Sequence, residues 1–380
     1  MSTTYECRIR SADGATLLAS VANFVTPIDG GGAALSYALN VGQVGALELT
    51  VPASFDPALL PLDGRISVWR SINGRTPQQD GEAVFLIRKW LYTEMTTTVI
   101  ALHANHLLTR RILAYYAGSS YTSKTVATPA GNLVKTFVSE NMLSGIVGAD
   151  RIGAETQADI SAYLANQANL GDGVSLAASV AWRSLFDVVR ELCDASTQAG
   201  TYLTSEIVAP TETTLELRTY ASQRGTDHRA STASPVIFSP DRGNLENVRL
   251  EVDRSEEVTV AIVGGAGEKG ARLTASSIDT TRIAESPFNR IEQFGDYSNV
   301  EDAAALQDIA DALVRAGRSR VTFEADLVDT DGTTRGIHYD LGDMVTGAFR
   351  GQQYDVRLDV IGVSVSAEGQ RTQAQLRSVT

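Results

Sequence analysis

The chain predicts a multidomain α+β protein: two β-rich ends, each a barrel or sandwich, flank a mixed α/β middle. Three observations predict it. At 380 residues the chain exceeds one ordinary core, so two to four domains are expected. Short runs of alternating apolar and polar residues, separated by turn residues, crowd both ends. Between them the apolar residues switch to helical spacing.

The first unit, 1–103, is expected to be all β. Leu35–Leu39 and Ala46–Val51 alternate with period two, the mark of a strand with one buried face. Gly30, Gly31 and Gly32 break the chain before them. Pro52, Pro57 and Pro61 mark the loop that follows. Arg65–Arg70, Ala83–Trp90 and Thr96–Leu102 complete the set, and Cys7 sits in a further strand-like run.

A helical or mixed unit, 104–180, comes next. Asn105–Ile112 predicts a short helix, and Ala117–Thr128 a polar connector rich in Ser, Thr and Tyr. A longer helix is expected with Thr128 as its cap and Pro129 in its first position. Its apolar stripe is Leu133, Val134, Phe137 and Val138, and Asn141–Gly148 ends it. Residues 149–180 are rich in Ala, Gln and Asn, with weak periodicity. The third unit, 181–243, opens on an amphipathic helix carrying Leu185, Val188, Val189 and Leu192, which stops before Gly200. Strands over 200–207, 213–219 and 235–238 make it an α+β unit.

The fourth unit, 244–380, is expected to be the second β-barrel or sandwich. Val248–Val252, Glu257–Val263, Ala271–Ala275 and Arg290–Phe294 open it. A helix over 299–317 follows, packed near the edge of its sheet. Ser298 would cap that helix and Glu301 would complete a capping box. Leu306, Ile309, Ala310, Leu313 and Val314 form its stripe, and Gly317 stops it. In the strand Arg320–Val328, Val321, Phe323, Ala325 and Leu327 face one way. Leu341–Val345, Tyr354–Val365 and Thr372–Leu376 close the unit.

Composition bounds the function. An apolar fraction of 43% with 20% charged residues is that of a folded protein, not a disordered one. A net charge of −13 argues against a surface that grips phosphates, so sequence-specific nucleic-acid binding is not expected. Cys7 and Cys193 are far apart, giving neither a disulfide framework nor zinc spacing, and they suit a reducing compartment. Met1–Glu6 has no basic and apolar leader, and no run approaches 18 apolar residues, so neither a signal peptide nor a membrane span is expected.

The motifs weaken on inspection. Gly265, Gly267 and Gly270 fit G-x-G-x-x-G, but a strand-like run follows where a dinucleotide site needs a helix, so a hairpin turn is expected. His103 and His106 lie three apart without further ligands, and His228 and His338 are isolated. Asp329–Gly332 starts like a calcium loop but has Asp340 where the closing glutamate belongs, so a turn is expected. Neither cysteine has a histidine beside it, and G-x-S-x-G is absent. The acid pairs Glu256/Glu257 and Glu301/Asp302 fit a strand end and a helix start. No catalytic, cofactor or metal residue is therefore assigned. Tyr115, Tyr116 and Tyr121 are candidate interface anchors, weighed evenly against local packing. Trp69 and Trp90 are candidates with core packing the stronger reading.

The order of these segments resembles the tail-tip or baseplate hub proteins of tailed phages. The helix Asn299–Ala316, Val321–Leu327, Leu341–Val345, Tyr354–Val365 and Thr372–Leu376 are similar to their second barrel, and Asn247–Gly265 to its entry. Upstream, Leu62–Trp69, Gly81–Ile87, Leu107–Ile112, Asn132–Glu140 and Phe238–Leu245 are similar to the siphophage members. The resemblance implies two tube-like barrels per chain and a homotrimer that closes a pseudo-hexameric ring. That ring would join the tail tube and distal tail protein to the tip, in the company of the tape measure protein and tip or receptor-binding proteins. DNA would pass through it, and an acidic lumen would repel phosphates in transit. The protein would be a virion component made in the host cytoplasm. No enzymatic activity is expected, since the chain stops at Thr380 where larger relatives append a lysin or receptor-binding part. The rival readings are a tail-associated cell-wall hydrolase, a host receptor- or carbohydrate-binding tip module, and the same fold in a contractile tail.

Overall fold

The computed structural model describes residues 3–22, 34–366 and 369–378. The expected break at Gly30–Gly32 lies outside the described residues. The N-terminal part holds strands β1 (Thr3–Arg10), β2 (Leu17–Val21), β3 (Leu35–Asn40), β4 (Ala46–Pro52), β5 (Arg65–Ile72), β6 (Gln78–Gln79), β7 (Phe85–Tyr92) and β8 (Thr96–His103). Alternation decides the faces. Leu35, Tyr37 and Leu39 of β3 and Leu47, Leu49 and Val51 of β4 all turn into one core.

The middle holds α1 (His106–Thr109), β9 (Ser123–Pro129), α2 (Ala130–Met142), β10 (Leu164–Asn166), β11 (Ser175–Ser179), α3 (Leu185–Gln198), β12 (Leu203–Val208) and β13 (Leu215–Ala221). Both predicted helical stripes are buried: Leu133, Val134, Phe137 and Val138 share a core with Leu185, Val188, Val189 and Leu192. The start of α2 differs from expectation. Thr128 and Pro129 belong to β9 and pair with β11, so Thr128 does not cap the helix. Instead the carbonyls of Val174 and Asp172 accept from the free N–H groups of Ala130 and Gly131, each at 2.9 Å.

The C-terminal part holds β14 (Ile237–Phe238), β15 (Leu245–Asp253), β16 (Val260–Gly264), β17 (Thr274–Ile278), α4 (Thr280–Ile283), β18 (Glu292–Asp296), α5 (Ala303–Ala316), β19 (Arg320–Leu327), β20 (Met344–Phe349), β21 (Gln352–Ser366) and β22 (Gly369–Ser378). Strands β17, β16 and β18 do not join the larger sheet; they form a small sheet of their own. The three-glycine segment is the connection of the β16–β17 hairpin, as expected. Helix α5 packs on this insert, with Leu306, Ala310 and Val314 against Ala261 and Val263, and not at the edge of a barrel. Its cap is Asp302, whose carboxylate accepts from Ala304 N and Ala305 N, rather than the expected Ser298–Glu301 box. Upstream, Tyr297 N donates to Gly264 O at 2.7 Å and Ala266 N to Val300 O at 2.8 Å. The chain there is held along the insert and starts its helix later.

The remaining strands form one sheet in the order β15-β19-β22-β21-β3-β4-β8-β7-β5-β1-β2, with β20 beside β21, β14 beside β20 and β6 beside β5. Two separate barrels or sandwiches were expected. Among the described residues neither half closes, and the two are lobes of a single sheet. The cause is β21. Its first residues, Gln352–Arg357, pair with β20, and Val360–Val365 pair with β3. The register against β22 shifts between Leu358 and Val360, a bulge that bends and twists the strand from one lobe into the other. Its side chains divide accordingly. Val356 and Leu358 lie in the C-terminal core with Phe323 and Leu376, while Ile361 and Val363 lie in the N-terminal core. Among the described residues no helix is long and apolar enough to cross a membrane.

Candidate functional site

The residues singled out by the sequence do not converge. His103 is buried with Nε2 at 3.7 Å from Glu206 Oε1, and burial pushes its imidazole below the ordinary value. His106 hydrogen-bonds Thr109 instead, and His338 Nδ1 accepts from Thr334 N at 3.0 Å. Both cysteines are buried free thiols, and Cys193 Sγ donates to Ser205 Oγ at 3.8 Å; burial pushes the Cys7 thiol far up and Cys193 up to about 12, so neither is a ready nucleophile. Glu257 is buried between Arg254 and Arg282, and Asp302 is spent on the α5 cap. Among the described residues no group of three His, Cys, Asp or Glu side chains is placed to hold a metal.

What the fold assembles is a polar joint. Arg335 and Asp80, 255 residues apart, meet with no exposure to solvent, the Arg335 Nη2 donating to both carboxylate oxygens at 2.8 Å. The Tyr37 hydroxyl donates to the same carboxylate, and Arg70 Nη2 stands 3.7 Å from it. The expected turn at Asp329–Gly332 forms, and Asp329 Oδ1 accepts from Arg335 N at 3.1 Å. Burial alone would raise the Asp80 carboxyl, but the Arg335 and Arg70 guanidiniums hold it below the usual range. Burial also pushes Tyr37 well up and Tyr5 to about 12, so both hydroxyls stay neutral, that of Tyr37 donating to Asp80.

A second joint ties the middle to the C-terminal lobe. Arg224 donates from Nε to Glu206 at 2.6 Å and from Nη1 to the Leu341 carbonyl at 2.9 Å. Gly342 sits at φ +84°, and a Cβ there would lie 2.7 Å from that of Arg224, so this close approach needs glycine. Asp343 accepts from Thr226 N at 2.5 Å and Asp340 N at 2.7 Å. Beside it, a cleft of about 470 Å³ runs between α3 and β21, lined in part by Tyr202, Arg357 and Asp359. Arg357 is already committed there, stacked 3.9 Å from the Tyr202 ring and 2.8 Å from Asp359. The acids of both joints are engaged by neighbouring guanidiniums or backbone amides, while Arg70 Nη1 and Arg335 Nε and Nη1 are buried without hydrogen-bond partners. This arrangement holds parts in register.

The candidate aromatic anchors divide between packing and exposure. Tyr115 is fully buried, donating to Glu140 at 2.9 Å, with Tyr121 edge-on at 5.8 Å. Trp69 carries Arg8 over its ring and Trp90 donates to the Leu60 carbonyl, both partly buried. Tyr116 is exposed, and so is Trp182, which sequence patterning did not single out. Residues 92–377 match the family described as Siphovirus ReqiPepy6 Gp37-like protein. The chain belongs to that family. No curated protein matches it in sequence. Its fold is shared with the 43 kDa tail protein of prophage MuSo2 from Shewanella oneidensis, at TM-score 0.59 and 10% identity over 98% of each chain. A tail protein from Neisseria meningitidis MC58 is similar at TM-score 0.58 and 12% identity, covering 100% of this chain and 97% of that one. Prophage tail protein gp18 from Listeria monocytogenes EGD-e is similar at 0.55 and 9%, covering 98% and 94%. The expected kinship with siphophage tail proteins is thus met in family and in fold.

Proposed function

We propose that this siphovirus protein is a structural subunit of the tail-tip hub. Three copies close a ring of six β lobes that joins the tail tube and distal tail protein to the tip and leaves a passage for DNA. The observation that carries this reading is the single sheet: β21 seats the two lobes of one chain side by side, the placement that alternating wedges around an axis require. The buried joints support it, since Asp80–Arg335 and Arg224–Glu206 fix how the parts sit. So does the outlay of acids and bases on structure, which suits a scaffold that acts through its interfaces. Native mass measurement with negative-stain imaging of the purified protein tests the reading. A three-fold ring with six lobes is expected. A two-fold dimer, or three-fold particles without a central opening, would sink it.

A further inference from the structure

A cleft of about 520 Å³ lies in the middle part of the chain, between α2 and the segment that leaves β10. Its size falls within the about 300–1,000 Å³ usual for small-molecule sites. The protein's own bonds fix both walls. On the helix side, Lys135 is 3% exposed and its Nζ donates to the Ala168 carbonyl at 2.8 Å. On the other side, Asn166 Nδ2 donates to the Lys135 carbonyl at 2.8 Å, and Gln167 Oε1 accepts from Thr219 N at 3.2 Å. Gly145 lets the loop after α2 approach the helix, since a Cβ there would lie 2.4 Å from Ser139 Oγ. The cleft is thus formed before any ligand arrives, which spares a ligand the cost of ordering it.

Three properties of the lining select the occupant. The first is charge. Lys135 and Glu140 are the charged residues of the lining, one of each sign. Glu140 is held by Lys124 Nζ at 2.7 Å and by the Tyr115 hydroxyl at 2.9 Å. Behind the lining, Asp172 and Glu216 offset the charge of Lys135, and they are engaged in turn by the Thr219 hydroxyl and Arg218. Neither an anion nor a cation finds an unanswered charge here. The second property is hydrogen-bonding capacity. Among the described residues the Tyr121 and Ser139 hydroxyls, the Asn169 carboxamide and Gln167 Nε2 make no hydrogen bond. Asn166 Oδ1, at the floor, is buried without a partner. Donors and acceptors are mixed, and a hydroxyl, which donates and accepts at once, answers both. The third property is the scarcity of apolar surface. Tyr121 brings the one aromatic ring of the lining, and Lys124 already stands over it at 4.7 Å. A protein partner is held by apolar and aromatic anchors in buried pockets, and this lining offers none.

We propose that this cleft binds a neutral saccharide, its hydroxyls paired with Ser139, Gln167 and Asn169. The site does not rest on the hub reading, and ring formation and sugar binding stand or fall separately. Saturation-transfer NMR on the full-length protein tests it. The probes are glucose, galactose, rhamnose and N-acetylglucosamine at millimolar concentration, beside glucuronate, glucosamine and a glycine–serine tripeptide. Transfer to at least one neutral sugar, and to none of the charged sugars or the peptide, is expected. Ser139→Ala and Asn169→Ala each remove a polar group that bonds nothing in the fold, so circular dichroism and the melting temperature are expected to match wild type. Each is expected to weaken the sugar's binding about fivefold, the worth of one neutral hydrogen bond. Thr125→Ala, exposed on β9 outside the lining, is expected to leave binding unchanged. Absence of transfer to every neutral sugar overturns the proposal. Equal binding by wild type and both cleft variants overturns it by placing the sugar elsewhere. Preference for glucuronate, glucosamine or the tripeptide overturns the choice of a neutral sugar.

Discussion

Asp80 is a buried carboxylate that keeps its charge because two guanidiniums face it. Its ionised form contributes stability in full above the unfolded value, near 3.9, and that contribution fades as pH falls through the lower folded value. Removing Arg335 reverses the sign. Burial then dominates and raises the carboxyl, so protonation relieves the fold instead of loosening it. Arg335→Met is expected to cost about 3–5 kcal/mol near neutral pH. The deficit should narrow at about pH 5, as the stranded acid takes up its proton. Urea unfolding at the two pH values checks this, and a deficit independent of pH would remove Asp80 from the account. None of this was legible in the sequence. A lone arginine in a polar loop and a lone aspartate before a glycine carry no mark of each other when 255 residues separate them.

At the scale of elements, local periodicity was readable and boundaries were not. The stripes of α2, α3 and α5 follow from 3.6-residue spacing alone, because a helix must bury one face wherever it docks. Their starts depend on main-chain partners elsewhere in the chain. Ser298 has the right residue type for a cap, but its neighbours are tied to the loop after β16, and Asp302 takes the role. Asp302→Ala should therefore cost about 1 kcal/mol and Ser298→Ala almost nothing, by thermal or urea unfolding. Equal losses would restore the earlier cap. The division of β21 between cores was likewise invisible, since its alternating residues do not say which lobe they fill. Ile361→Ala should cost about 2–5 kcal/mol through a cavity in the N-terminal core, although Ile361 lies in the C-terminal part of the sequence. Calorimetry should show the two lobes melting in one transition. Separate transitions with only the C-terminal one displaced would contradict the shared sheet.

At the scale of the whole molecule, two distant cysteines and four scattered histidines gave the sequence no motif from which to assign a site. The order of segments pointed to a siphophage tail protein, and the family match agrees. The union of the two β ends into one sheet rests on the pairing of Val360–Val365 with Leu35–Asn40, and the insert on the pairing of β15 with β19 around it, neither of which a local pattern encodes. Strand β21 has a mechanical consequence. At fifteen residues it is roughly 50 Å long, and it links the two lobes alongside the buried Asp80–Arg335 joint. Its hydrogen bonds to β3, β20 and β22 are then loaded along the strand direction, many at once, as rivets share a sideways load. Rotation of one lobe would therefore reach the other through this strand, bent at its Leu358–Val360 bulge, and through the Asp80–Arg335 joint together.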